Sequence, residues 1–191
     1  MMIAEKISKK QIIINAAADL FKDKGYNASS IRDLATKVGL EPSSIYSHIK
    51  SKEDLLSEIC MGCAHKFTDG MEQISNADMS SRKKIEALIT LHLDIAFENL
   101  ASITVFNDEW RYLPEQVLNE FLILRKDYEK KFKKILTDGK EEGKFEFQHT
   151  DIIFNVIIKT LSWSYAGVKK YKKEELHQEL TSFISNALHK N

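Results

Sequence analysis

The sequence has few of the residues that make tight turns. Its 191 residues include seven glycines and two prolines, about 5% of the chain where ~12% is usual. β-Sandwiches and β-barrels need turn residues every ~8–12 positions, so this composition excludes them and predicts an all-α fold. Disorder is excluded too, because 43% of the residues are hydrophobic and 29% are charged, a balance typical of packed globular proteins.

The chain also has no formal net charge at pH 7. The 28 basic side chains balance the 28 acidic ones, so no overall field attracts nucleic acid or a membrane surface. The first 55 residues carry a small local excess, with nine basic and seven acidic side chains. No uncharged apolar run reaches ~18 residues, and the start of the chain lacks the apolar core of a signal peptide. We therefore expect a cytoplasmic protein with no membrane partner.

Apolar periodicity predicts helices along the whole chain. The first is expected over Ser8–Lys24, and a capping box formed by Ser30 and Asp33 opens a short second helix. The third is expected over Pro42–Ile49, because proline fits the first position of a helix. A fourth, long helix follows from Lys52. The N-terminal part is thus predicted to be a three-helix unit followed by a long helix.

The later helices carry a signal of self-association. Pro114 is expected to separate a short segment from a long helix that Gly139 and Gly143 close. Residues 151–168 are apolar nearly all round, which indicates a helix covered on both sides. The last helix has a single apolar stripe. A second copy of the chain is the natural cover for the apolar helix over residues 151–168, so we expect a homodimer.

Two short helices joined by a turn containing Gly39, within a three-helix unit, are typical of a helix-turn-helix. The second short helix would enter the major groove, where small hydroxyls, tyrosine, histidine and lysine suit base edges and phosphates. The alternative is a plain helical bundle with serine caps. The candidate DNA-binding residues are Ser29, Ser30, Arg32, Pro42, Ser43, Ser44, Tyr46, Ser47, His48, Lys50 and Lys52.

Several short motifs between Ile13 and Leu55 occur together in one order, namely Ala16-Ala17, Leu20-Phe21, Gly25-Tyr26, Arg32-Asp33-Leu34-Ala35, Val38-Gly39, Ile45-Tyr46, His48 and Lys50-Ser51-Lys52-Glu53-Asp54-Leu55. Through these residues the segment resembles the DNA-binding domain of the TetR/AcrR family of bacterial repressors. Glu41-Pro42 and Ile49 depart from the family pattern, the former at a position that bears on base preference.

This resemblance implies a helix-turn-helix DNA-binding domain over residues 1–53 and a helical ligand-binding and dimerisation domain over 54–191, about nine helices in all. It also implies a dimer that pairs through its last two helices and binds a pseudo-palindromic double-stranded DNA operator. A small-molecule effector would release it. No cofactor and no enzymatic activity are expected.

The middle of the chain is similar to a subgroup of these regulators that responds to fatty acyl-CoA. Arg111 and Arg125 lie there, and arginine binds phosphate or carboxylate with two parallel hydrogen bonds. Alternatively the aromatic residues are ordinary core, the arginines pair with nearby carboxylates, and His92 is a hydrogen-bonded core histidine. Amphipathic drugs and other apolar metabolites remain open as effectors. The candidate ligand-binding residues are Phe67, Met71, Leu88, His92, Phe106, Trp110, Arg111, Phe121, Arg125, Tyr128 and Trp163.

Two functions of other classes compete with this interpretation. Cys60 and Cys63, with a histidine nearby, would suit a metal or redox sensor, although their i, i+3 spacing on a helix is also ordinary packing. Two Glu-x-x-His pairs, at 146–149 and 174–177, match part of a di-iron helical enzyme site. The sequence leaves open the operator, the regulated genes, the effector and the choice between repression and activation.

Overall fold

The computed structural model of the chain describes residues 8–188. Over that range it contains nine α-helices, two 3₁₀ segments and no strand, which confirms the all-α prediction. The 3₁₀ segments are Trp110–Tyr112 and Tyr165–Gly167. The α-helices are α1 (Lys9–Lys24), α2 (Ile31–Val38), α3 (Pro42–Tyr46), α4 (Lys52–Asn76), α5 (Ser81–Glu98), α6 (Leu100–Asp108), α7 (Glu115–Glu141), α8 (Thr150–Ser164) and α9 (Lys173–Leu188).

The helices fall into two compact units. The first unit comprises the described part of Met1–Cys63 together with Ala101–Asn119, and the second comprises Ala64–Leu100 and the described part of Glu120–Asn191. Helices α4 and α7 each contribute residues to both. The helix-turn-helix segment therefore packs with α6 and the 3₁₀ segment that follows it, a grouping that differs from the expected boundary between residues 53 and 54.

Local caps explain where α1 and α2 begin. The Ser8 hydroxyl accepts a hydrogen bond from the Gln11 backbone N–H at 3.1 Å. At α2, the Ser30 hydroxyl accepts from the Asp33 backbone N–H while the Asp33 carboxylate accepts from the Ser30 backbone N–H. This reciprocal pair of hydrogen bonds is the predicted capping box. It satisfies two backbone N–H groups that have no intrahelical acceptor at the start of a helix.

Helix α3 is shorter than predicted. It spans only Pro42–Tyr46, so the expectation that the third helix continues to Ile49 is wrong. The backbone N–H of His48 bonds the carbonyl of Ile45 at 2.9 Å in the turn that follows. Ile45 and Ile49 are nevertheless both buried, because the turn keeps the two isoleucines on the inner side.

Gly139 does not end α7. It lies within the helix, and an added Cβ there would come within 2.2 Å of the Phe145 ring. Glycine therefore allows the segment after α7 to fold back closely onto the helix. Gly143, with φ of +67°, ends the helix as predicted.

The helices of residues 8–188 differ in length and hydropathy from a typical membrane span. No single helix there is both long and apolar enough to cross a bilayer, and only α5 and α6 taken together, across a sharp bend, reach that length and composition.

Candidate DNA-binding surface and effector region

Helix α3 presents a polar outer side over an apolar inner side. Ile45 is fully buried, whereas the neighbouring Tyr46 is 54% exposed. Lys50 in the following turn is exposed as well. Helix α3 and the turn after it thus expose a tyrosine and a lysine, while Ile45 anchors the helix in the core, an arrangement compatible with a helix that contacts DNA.

The predicted DNA-binding residues divide by exposure. One of them, Ser29, is buried. The half-buried ones are Pro42, Ser44, His48 and Lys52. The exposed ones are Ser30, Arg32, Ser43, Tyr46, Ser47 and Lys50.

Two of these side chains, Ser29 and Lys52, bond backbone carbonyls of the chain itself. The Ser29 hydroxyl donates to the Gly25 carbonyl at 2.7 Å. The Lys52 ammonium donates to the carbonyls of Tyr26 and Ser29 at 3.1 and 3.0 Å. Both side chains hold the turn between α1 and α2, because a buried carbonyl needs a donor, and neither is aimed at a phosphate.

Charged side chains surround the start of α2. Lys24 donates to the Asp33 carboxylate at 2.8 Å, and this contact, with the hydrogen bonds from Ser30, lowers the pKa of Asp33 to about 2. Arg32 and Lys37 line the shallow groove beside α2 together with Lys24 and Asp33. Asp23 also lines this groove, so its lining has three basic and two acidic side chains.

A buried polar triad lies in the second unit. His92 on α5 has its Nδ1 atom 2.7 Å from the Tyr165 hydroxyl and its Nε2 atom 2.7 Å from the Tyr128 hydroxyl. All three side chains are buried. Burial lowers the pKa of His92 to about 3 and raises the pKa of Tyr128 well above its ordinary value. The triad is therefore uncharged at neutral pH.

Apolar and aromatic side chains surround this triad. The Phe67 ring lies 4.7 Å from the His92 ring and 5.9 Å from the Tyr128 ring. Tyr128 also contacts Phe132. Three predicted ligand residues, Phe67, His92 and Tyr128, thus form one cluster. Tyr165 was missed by sequence reasoning, although a tyrosine at the end of an apolar helix signals a hydroxyl that needs a buried partner.

The other predicted ligand residues are distributed over both units. Met71, Leu88 and Phe121 are buried in the second unit. Phe106, Trp110 and Arg111 belong to the first unit, where the Arg111 guanidinium lies 4.4 Å from the centre of the Trp110 ring. Arg125 is exposed on α7.

Trp163, a predicted ligand residue, lies on the surface of the chain. It is 75% exposed on α8, so it does not line the interior of this chain, because it lies on the outward side of its helix. Ile152 and Val156 share that exposure on α8, and Phe183 is exposed on α9. The last two helices therefore keep large apolar side chains on their surface, which monomeric proteins rarely do over a contiguous area.

The metal, redox and di-iron alternatives each need particular side chains close together, and the described residues do not provide such a cluster. No group of three or more His, Cys, Asp or Glu side chains within 8–188 is arranged to hold a metal ion. Cys60 and Cys63 are buried thiols that form no disulfide within the described residues, and burial raises the pKa of the Cys60 thiol. A raised pKa disfavours the thiolate, which is the reactive form of cysteine. His177 bonds the Thr90 hydroxyl.

Two family models match the chain. Residues 13–59 match the model described as "Bacterial regulatory proteins, tetR family", and residues 78–166 match "Tetracyclin repressor-like, C-terminal domain". The first model covers most of α1, all of α2 and the short helix α3 with its exposed Tyr46. The chain belongs to the TetR family. It is a DNA-binding transcriptional regulator and not an enzyme, so the di-iron alternative is wrong.

Curated and solved TetR regulators are similar over most of the chain. The transcriptional repressor KstR2 of Mycolicibacterium smegmatis is 25% identical over 88% of this chain and 82% of its own length. The fatty acid metabolism regulator protein of Bacillus subtilis is 25% identical over 97% of this chain and 98% of its own. The structure of the ketosteroid transcriptional regulator KstR2 of Mycobacterium tuberculosis, 20% identical, has a TM-score of 0.89 and covers both chains completely.

Proposed function

We infer that this TetR-family regulator is a cytoplasmic, homodimeric repressor that binds a pseudo-palindromic operator and is released by a lipid-derived effector, for which fatty acyl-CoA is the class to test. The single observation that supports DNA binding by this segment is the exposed polar side of α3 over its buried Ile45. The sign of regulation rests on the relatives, which include proteins named as repressors.

The DNA contacts are assigned to the exposed part of the predicted set. Tyr46 and Lys50 face solvent, and the half-buried His48 follows α3 in its turn. Tyrosine, lysine and histidine are all donors to phosphate oxygens, which fix the register of a protein on DNA. Arg32 on α2 adds a second phosphate contact. Ser43 and Ser47 are assigned to hydrogen bonds with base edges.

Dimerisation is assigned to α8 and α9. Ile152, Val156 and Trp163 follow one another at spacings of four and seven residues, which places them on one side of α8. Phe183 is exposed on α9. A second copy would cover this apolar surface through a two-fold axis, and the two reading helices would then lie in successive major grooves, roughly 34–36 Å apart or a multiple of that.

The effector is assigned to the cluster around His92 in the second unit. The triad of His92, Tyr128 and Tyr165 supplies neutral hydrogen-bonding groups among aromatic rings, which suits a largely apolar molecule. Two similar proteins are named for fatty acid metabolism and for ketosteroids, both lipid chemistries. Arg125 on α7 of the same unit is exposed and suits an anionic part such as a phosphate of CoA. Arg111 in the first unit stays a separate prediction.

Release is a shift between two populated states. Helix α4 runs without interruption from Lys52, next to the reading helix, to Asn76, beyond Phe67 and Met71. A ligand that favours one orientation of α4 changes the separation of the two reading helices in the dimer. The effector can shift that equilibrium only by the difference between its affinities for the two states.

The deciding experiment is fluorescence anisotropy of the full-length protein on the labelled duplex upstream of its own gene. Palmitoyl-CoA and free CoA are titrated into the complex. Arg111→Ala is compared with Arg82→Ala, an exposed arginine outside the predicted set that pairs with Glu86. The expected result is tight binding that palmitoyl-CoA reverses and free CoA does not, with a weaker response only in Arg111→Ala.

Other outcomes separate the parts of the proposal. Tight binding that neither compound reverses keeps the DNA-binding assignment and rejects acyl-CoA as the effector. Absence of binding to that duplex moves the search to duplexes selected from random DNA. Failure of that selection as well would reject operator binding by this chain.

A further inference from the structure

The turn between α1 and α2 is held from outside the helix-turn-helix. Helix α1 ends at Gly25, whose φ of +84° sends the chain sharply away from the helix axis. Tyr26 comes next and is buried. Four residues later Ser30 caps α2. The placement of α2 therefore depends on how the peptide groups of Tyr26 are held.

Two charged side chains hold those peptide groups. The Glu109 carboxylate accepts a hydrogen bond from the Tyr26 backbone N–H at 3.0 Å. The Lys52 ammonium donates to the Tyr26 carbonyl at 3.1 Å and lies 4.3 Å from the centre of the Tyr26 ring. Hydrogen bonds with a charged partner are stronger than neutral ones. The backbone of one buried residue is thus clamped by an anion on its N–H and a cation on its C=O.

The Tyr26 side chain adds packing to the same clamp. Its ring meets Phe21 edge-on with centroids 5.2 Å apart, and it stacks on Tyr112 with centroids 5.6 Å apart. Burial, with a smaller contribution from Glu53, raises the pKa of Tyr26 to about 12. Glu109 and Tyr112 flank the segment that contains Trp110 and Arg111. Four consecutive residues, 109–112, therefore contain two contacts to the turn and two candidate effector residues.

We propose that Glu109 is a positioning residue for operator binding, which acts by holding the Tyr26 N–H and with it the start of α2. The assignment rests on the proposed function, because it gives the clamp a role in DNA affinity. No residue of α2 or α3 supplies the acceptor that the Tyr26 N–H uses. Operator affinity therefore depends on one carboxylate oxygen at the end of α6, far along the sequence from the reading helix.

The test has two readouts on the full-length chain. The first is hydrogen exchange of the Tyr26 amide and of the first turn of α2. The second is anisotropy on a duplex selected by the wild-type protein from random DNA. The variants are Glu109→Ala, Glu109→Gln, which keeps an oxygen acceptor, and Asp108→Asn, which alters the exposed carboxylate one residue earlier.

Glu109→Ala is expected to exchange the Tyr26 amide about tenfold faster and to weaken DNA binding by about the same factor, since one hydrogen bond to a charged group is lost. Glu109→Gln recovers most of both, and Asp108→Asn matches the wild type. The slope of log affinity against log salt stays unchanged in all three, because no phosphate contact is removed. A merely destabilising substitution would instead speed exchange throughout the first unit, without recovery in Glu109→Gln.

Unchanged exchange at Tyr26 in Glu109→Ala overturns the clamp. Faster exchange with unchanged DNA affinity overturns the positioning role. If the wild-type protein selects no duplex, operator binding itself fails, while the exchange measurement still decides whether Glu109 holds the turn.

Discussion

The Nε2 atom of His92 lies 2.7 Å from the hydroxyl oxygen of Tyr128, with both side chains buried. Nδ1 is equally close to Tyr165. The imidazole bonds both hydroxyls through its two ring nitrogens, and burial disfavours the charged form of the ring. The histidine therefore joins α5, α7 and the end of α8 in its neutral form.

We expect this histidine to make the protein sensitive to mild acid. Its folded-state pKa of about 3 lies below the ordinary value of about 6.5, so the unfolded chain binds a proton that the folded chain does not. Its contribution to stability is complete above about pH 6.5 and falls by up to ~1.4 kcal/mol per pH unit as the pH drops toward 3. Urea unfolding at a series of pH values between 7.5 and 4.5 measures this slope.

His92→Phe is expected to lose this component of the slope, although it also leaves two hydroxyls without their partner. Tyr165→Phe serves as the control, because it removes one hydrogen bond of the same network, costs roughly 1–3 kcal/mol and retains the titrating ring. Identical pH slopes in the wild type and His92→Phe would contradict the assignment.

Tyr46→Ala and His48→Ala are each expected to weaken DNA binding by about tenfold on every duplex, with unchanged thermal unfolding, because a contact to phosphate carries no sequence information. Anisotropy on two unrelated duplexes and circular dichroism melts measure this. Tyr171→Ala is the matched control, since Tyr171 in the second unit is 55% exposed and Tyr46 is 54% exposed. Unchanged affinity in both Tyr46→Ala and His48→Ala would remove these residues from the interface.

Val156→Glu is expected to dissociate the dimer, because a charge placed in a desolvated apolar interface costs several kcal/mol unless it is paired. Sedimentation equilibrium without DNA gives the dissociation constant. Ile12→Glu on α1 controls for the loss of an exposed aliphatic side chain, since the two residues are 49% and 50% exposed. A dimer of equal strength in both variants would place the interface elsewhere than α8.

Cys60 and Cys63 are expected to resist modification in the folded protein. Both are buried, and burial raises the pKa of Cys60, so little thiolate is available. Labelling with Ellman's reagent is predicted to need urea concentrations that unfold the chain, and hydrogen peroxide is predicted to leave DNA affinity unchanged. Rapid labelling of the native protein would reopen the redox-sensor alternative.

Local signals in the sequence were sufficient to predict where most of the helices begin. The Ser30–Asp33 capping box, Pro42 at the first position of α3 and the positive φ of Gly143 each act within a few residues, so their effect can be read from sequence order. The same holds for the buried spacing of Ile45 and Ile49. The end of α3 was misjudged because the apolar spacing of these two isoleucines fits both a helix and a turn.

Tertiary contacts decided the roles of individual side chains. Lys52 and Ser29 are polar residues of the kind that bind phosphate, but the fold aims them at backbone carbonyls. Trp163 resembles a pocket residue in sequence, yet it lies on the outer side of α8. Gly139 resembles a helix stop, yet its lack of a Cβ makes room for Phe145.

The sequence alone determined an all-α chain with an N-terminal helix-turn-helix, because periodicity, capping and turn chemistry are local and of short range. Only the tertiary structure paired His92 with Tyr128 and Tyr165, and Tyr26 with Glu109, 83 residues further along the chain. Such partners are chosen by the packing of whole helices and by the cost of leaving a buried polar group unsatisfied, and neither depends on sequence separation.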